Sequence, residues 1–258
     1  MLLHALDTAD SADADGAATP PLRTALLLHG AMGSAESWWR VIPLLVDRGY
    51  RVLALDLPGH GRSPRDPQLT VDTAAAAVVA TIRRLAPEGP LHALGHSYGA
   101  TVLAAAAAAL DPSLTVYVDA ALSIEGGHDR AELVARYERD RLARKDADAL
   151  RRSRPFYSER DAEVEARAAE RFDPETLASV SCGADGEWPP VPGSIVVRAE
   201  PSSWVSDADV RTLTERGVDV RSIPGAAHTV WYSHFEEFTA SLPELFGPRP
   251  TVSRSPSI

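Results

Sequence analysis

Six short apolar runs, separated by helical stretches, constrain the fold of this chain more than any other feature. They cover residues 25–29, 51–57, 91–95, 114–121, 195–199 and 218–223. Strands without polar alternation are buried on both faces, and when amphipathic helices separate them they line up as a parallel sheet covered from both sides. The expected class is therefore α/β. The stretch after the run at 91–95 is nearly all alanine from Ala100 to Leu110, which favours helix and leaves a flat surface able to lie close on a sheet.

Between residues 126 and 190 the rhythm breaks. This stretch is dense in Arg, Glu and Asp, lacks strand-like runs, and sets opposite charges four residues apart at Glu132/Arg136, Asp140/Arg144 and Glu163/Arg167. It reads as several exposed helices inserted into the α/β body, with Tyr137, Leu142, Phe156, Tyr157, Phe172 and Trp188 available to face inward. Charge-rich stretches are commonly just solvated faces, but a position between two core strands favours a lid over a pocket. The expected organisation is a core built from residues 1–125 and 191–247, a helical lid at 126–190, and a disordered tail at 248–258. Residues 8–21, rich in Asp, Ala, Thr and Pro, read as a loose entry segment turning near Asp15-Gly16.

At 258 residues and 45% hydrophobic content the chain can bury one large core. Its formal charge of −10 argues against nucleic acid or an anionic membrane as partner, since both require a basic surface. Cys182 is the one cysteine, so no intrachain disulfide can form. Met1-Leu2-Leu3 followed by acidic residues lacks the basic start and apolar run of a secretory signal. No segment approaches the roughly 20 apolar residues of a membrane span. The expectation is a cytoplasmic protein acting on a small molecule, with homo-oligomerisation left open.

The chemistry centres on Gly95-His96-Ser97-Tyr98-Gly99, a G-x-S-x-G between an apolar run and the alanine-rich helix. A serine on a tight strand-to-helix turn is held in a strained backbone conformation, and the flanking glycines relieve the crowding. The turn exposes the Ser97 hydroxyl near a helix N-terminus, where developing negative charge is favoured. Such a hydroxyl is a weak nucleophile until a base removes its proton. His228 is the best-placed base, because it follows the last apolar run and the turn Pro224-Gly225 and precedes a terminal helix near Val230. His29 and His60 sit in glycine turns where ring packing is the commoner role, and His96 reads as structural. An oxyanion needs preorganised N–H donors. Tyr98 supplies one and Ala31, in the loop after the first run, the other, with Met32 in reserve.

Together His29-Gly30, Trp38, Asp56-Leu57-Pro58-Gly59-His60-Gly61-Arg62-Ser63, the Ser97 turn and Gly225-Ala226-Ala227-His228 resemble the α/β-hydrolase superfamily over roughly residues 22–246. The resemblance implies a mostly parallel central sheet with helices on both faces and a helical lid after the sixth strand. It assigns the Asp56–Ser63 segment a structural role beside the pocket. The family's usual acid is an aspartate just after the run at 195–199, yet here Ala199-Glu200-Pro201-Ser202-Ser203 carries serine at that point. Some members take the acid instead from the strand after the nucleophile helix, which makes Asp119 the first candidate and Glu200 the alternative, with Asp207 or a water behind them. The acid must be buried and within reach of the imidazole to hold its tautomer. Trp38, Trp39, Trp231 and Tyr232 are candidate pocket walls.

The leading expectation is a serine hydrolase acting on a small, mainly apolar carboxylic ester, lactone or thioester, with no metal or cofactor. Two other chemistries stay open: a cofactor-free lyase or carbon–carbon bond hydrolase using the same Ser97–His228 site, and a non-catalytic small-molecule receptor. A nucleophilic aspartate, as haloalkane dehalogenases and most epoxide hydrolases of this superfamily use, is absent from the turn.

Overall fold

The structure, a computed structural model, describes residues 1–11 and 23–247. The entry turn near Asp15-Gly16 and the tail at 248–258 lie outside those residues. All six apolar runs are strands of one sheet. In chain order the strands are β1 (Ala5–Asp7), β2 (Arg23–Leu28), β3 (Tyr50–Leu55), β4 (Leu91–His96), β5 (Leu114–Val118), β6 (Ser123–Ile124), β7 (Gly186–Glu187), β8 (Ile195–Glu200) and β9 (Asp219–Pro224). The seven-stranded sheet runs β1-β3-β2-β4-β5-β8-β9, while β6 and β7 form a separate two-stranded ribbon. Every neighbouring pair in the large sheet is parallel except β1 with β3. That antiparallel edge strand lacks an apolar run and was not expected.

Period-two alternation divides the core between the sheet's two faces. Along β2, Leu26 and Leu28 point into one apolar cluster while Ala25 and Leu27 point into the other. Helices α2 (Val71–Leu85) and α3 (Tyr98–Leu110) cover the first face, and α1 (Val41–Asp47) covers the second. On the second face, Trp38 and Trp231 stack with ring centroids 4.2 Å apart and are fully buried, and Tyr232 lies beside them. These aromatics are therefore core, not pocket walls. Trp39 instead donates its indole N–H to Asp161.

The charged stretch folds as α4 (Arg130–Arg144), α5 (Ala147–Ser153), α6 (Glu159–Glu170) and α7 (Pro174–Val180), bracketed by β6 and β7. Residues of α5 and α6 join the second-face cluster and those of α7 join the first, so the four helices bridge both layers. Tyr157 and Phe172 are buried, but Leu142 and Phe156 remain exposed. The expected helical ion pairs give way to longer-range partners. Arg144 reaches Glu165 and Arg167 reaches Glu36, because both arginines face neighbouring elements rather than their own helix. Glu165 is itself buried and accepts from Ser37 and Tyr232, and burial raises its pKa.

After β8 the chain forms α8 (Asp207–Glu215), and after β9 it forms α9 (Val230–Ser233), α10 (Phe235–Ala240) and α11 (Pro243–Phe246) rather than one terminal helix. Among the described residues no helix is long and apolar enough to cross a membrane. Helices α2 and α4 to α8 each begin at a Thr, Asp or Ser whose side chain accepts a backbone N–H of the first turn. Helix α3, like α1 and the short α9 to α11, has no such cap. Its N-terminal flank is Ser97, whose hydroxyl makes no capping bond.

Candidate active site

Ser97 adopts φ 51° and ψ −122°, a region that side-chain-bearing residues rarely occupy. Its N–H donates to the Val118 carbonyl at 2.9 Å, tying the turn to the end of β5. The turn is tight because its glycines have no room for a side chain. A Cβ on Gly95 would lie 2.6 Å from the Ala100 Cα, and one on Gly99 would strike the carbonyls of Leu28 and His29 at the end of β2. With the conformation fixed this way the serine side chain cannot turn back to cap α3, and it faces an open cavity of about 250 Å³.

Asp119 follows β5 directly. Its φ of 45° takes the chain out of the ladder, so this strand stops at Val118 and not at residue 121. The carboxylate is 1% exposed. Oδ2 accepts the His228 Nδ1–H at 2.7 Å, while Oδ1 accepts from the Ser202 hydroxyl at 2.7 Å and the Ala199 N–H at 3.1 Å. Of the two candidate acids, Asp119 is thus the one that meets His228. Glu200 accepts from the Arg198 guanidinium, 3.0 Å away, and the same guanidinium takes Asp207. Buried Arg198 holds both carboxylates on its own side of β8. Ser202 stands where the more common acid would be and fastens Asp119 instead.

His228 lies on the loop after β9, which crosses the end of β8 to reach Asp119. Three groups hold that loop. His96 donates from Nε2 to the His228 carbonyl at 2.9 Å, Trp231 donates to the Ser37 carbonyl at 3.0 Å, and Arg40 donates to the Trp231 carbonyl at 3.3 Å. The His96 ring lies 4.7 Å from that of His228, and burial holds its pKa well below the usual value, so it stays neutral. His96 is structural, as expected, but it acts on the proposed base rather than on Ser97.

Two other histidines, His29 and His60, brace the loop that holds Ala31. His29 donates from Nδ1 to the Gly30 carbonyl and accepts the Leu57 N–H at Nε2. His60 donates from Nδ1 to the Pro58 carbonyl and accepts the Met32 N–H at Nε2, 3.2 Å away. Burial, then the neighbouring His29, pushes the His60 pKa down to about 3. Two neutral rings therefore lace the 29–33 loop to the 57–63 loop. The same bond removes Met32 as an oxyanion donor. The N–H groups of Ala31 and Tyr98 find no acceptor among the described residues, and both residues line the cavity with Ser97. Asp56 is purely structural: it accepts from the backbone of Ala35 and Arg62 and pairs with His4.

Tyr98, Ala120, Leu177 and Val180 form the buried hydrophobic part of the cavity wall, while Glu125, His128 and Arg136 are exposed at its edge. Trp204, not singled out by sequence, lines the same cavity with its ring 5.5 Å from that of His228.

A mostly parallel sheet carrying a strained strand-to-helix serine, with a buried aspartate after β5 paired to a partly exposed histidine that reaches across β8 from the end of β9, defines a class of serine-centred α/β proteins. Within that class the chain belongs to the alpha/beta hydrolase family, whose model matches residues 25–241. It is 39% identical over 82 residues to a pimeloyl-[acyl-carrier protein] methyl ester esterase of Methylococcus capsulatus, covering 32% of this chain and 30% of that protein. It is 34% identical over 125 residues to an sn-1-specific diacylglycerol lipase of Danio rerio, covering 47% and 38%. The matched stretches thus span about a third of these relatives' lengths. A marine microorganism esterase shares the fold with a TM-score of 0.65 and 17% identity, over 95% of this chain and 99% of that one.

Proposed function

We propose that this chain is a serine hydrolase that cleaves a small carboxylic ester, lactone or thioester through an acyl-enzyme on Ser97. The observation that carries the reading is the 2.7 Å bond from His228 Nδ1 to the buried Asp119 carboxylate, with the His228 ring beside Trp204, which lines the cavity that Ser97 faces. That bond places the ring proton on Nδ1 and leaves Nε2 as a base. Ser97 Oγ attacks the carbonyl carbon as His228 Nε2 takes its proton, and the N–H groups of Ala31 and Tyr98 receive the oxyanion. His228 returns the proton to the leaving oxygen or sulfur, and water releases the acyl group by the same steps. The relatives named as esterase and lipase support the ester bond as target. Helices α4 and α7 act as a lid, a role supported by Tyr137, Leu177 and Val180 on the cavity wall.

Turnover of short p-nitrophenyl esters tests the reading. Wild type should hydrolyse them, and Ser97→Ala and His228→Gln should lose at least a thousandfold in kcat while staying folded. Turnover undiminished in Ser97→Ala would overturn it.

A further inference from the structure

Trp204 is a large apolar side chain left 49% exposed, at the wall of the cavity that holds Ser97. Its ring centroid is 5.5 Å from the His228 ring, with 37° between the planes. The residue is anchored through its main chain: the Trp204 backbone N–H donates to the Ser202 hydroxyl at 2.9 Å, and that hydroxyl donates to Asp119 at 2.7 Å. One serine therefore ties the Trp204 backbone and the proposed acid to a common point. Exposed tryptophan surface beside a polar site is a ready contact for an aromatic or apolar ligand.

The direction of the reaction says which part of a substrate meets it. The new bond joins Ser97 Oγ to the acyl carbon, the bond from that carbon to the alcohol oxygen breaks, and the proton on His228 passes to the departing alcohol. The leaving group therefore departs against His228, on the side where Trp204 stands. The carbonyl oxygen turns toward Ala31 and Tyr98, and the acyl chain is left the wall of Ala120, Leu177 and Val180. Tyr98 and Tyr137 also line the cavity, but the aromatic ring beside His228 is the Trp204 indole.

We propose that Trp204 is a specificity-determining residue that selects esters of aromatic alcohols by packing against the leaving group. This deepens the hydrolase reading and rests on it. The experiment compares kcat/KM for phenyl acetate and methyl acetate in wild type, Trp204→Phe and Trp204→Ala. Dividing variant by wild type for each ester removes the intrinsic reactivity difference. Trp204→Ala should lose tenfold or more on phenyl acetate and less than threefold on methyl acetate, and Trp204→Phe should recover most of the aryl activity. Equal losses on both esters, or none, would overturn the proposal.

Binding of benzyl alcohol, followed by calorimetry, reads the seat without turnover. Trp204→Ala should bind it at least fivefold more weakly than wild type, and equal binding would overturn the seat. Wild type that binds benzyl alcohol through Trp204 but hydrolyses neither ester would support the seat and refute the hydrolase reading.

Discussion

Replacing Asp119 by asparagine isolates what the buried carboxylate does for His228. On the inner side of this carboxylate, Oδ1 accepts two hydrogen bonds, from Ser202 at 2.7 Å and Ala199 at 3.1 Å. Both partners are donors there, so the variant's amide oxygen must stay on that side and its NH2 must turn to His228 Nδ1. Two N–H groups cannot face each other at 2.7 Å, the distance now bridged by a proton. The imidazole therefore shifts its proton to Nε2 and can no longer take one from Ser97. Losing the correct tautomer in this way costs about 10⁴-fold in kcat, or about 5.4 kcal/mol of barrier. The fold should change little, since the volume is conserved and two of three bonds persist; exchanging the charge-assisted bond costs about 1–2 kcal/mol. Stopped assays with p-nitrophenyl acetate, beside urea unfolding of the same samples, separate the two effects. A kcat loss below tenfold in a folded variant would refute the reasoning and move the acid elsewhere.

Three other perturbations have definite outcomes. Gly99→Ala drives a methyl into the Leu28 and His29 carbonyls and should lower unfolding free energy by about 1–3 kcal/mol, read from urea midpoints; an unchanged midpoint would show that the turn can shift. Ser202→Ala removes a donor to Asp119 and the acceptor of the Trp204 and Val205 N–H groups. It should cost about 1–2 kcal/mol of stability and roughly tenfold in kcat, whereas full activity would show that Ala199 alone holds the carboxylate. The third is a pH effect. The folded-state pKa of His60, about 3, lies below its unfolded value of about 6.5, so its neutral ring stabilises the fold above pH 6.5 and that contribution is lost as pH falls toward 3. Between pH 6.5 and 5 this amounts to about 2 kcal/mol. His60→Gln should be less stable at pH 7 yet lose about 2 kcal/mol less than wild type over that interval. Parallel pH profiles would contradict it.

The sheet was legible because strands buried on both faces must be written as unbroken apolar runs, and all six became parallel strands. β1 was not, because an edge strand with one neighbour needs little apolar character: Ala5–Asp7 is only half-buried. The Ser97 turn and the loop position of His228 could be read because turn glycines and chain order constrain them locally. Which carboxylate meets His228 was harder to read. Asp119 and Glu200 both end strands, and only the three-dimensional fact that Arg198 claims Glu200 separates them. The tryptophans were misread for a similar reason. Trp38 and Trp231 sit beside glycine-rich loops in sequence but meet each other beneath the sheet, while Trp204, in a polar loop, carries no periodic signal at all. Ser202 gave one clue, a serine in place of an expected aspartate, but its bond to Asp119 spans 83 residues and could not be read locally.

The most direct test of the central claim is labelling with a fluorophosphonate followed by peptide mass spectrometry. The nucleophile assignment predicts one adduct, on Ser97, formed by wild type and absent from Ser97→Ala. No adduct, or one on any other residue, would contradict it.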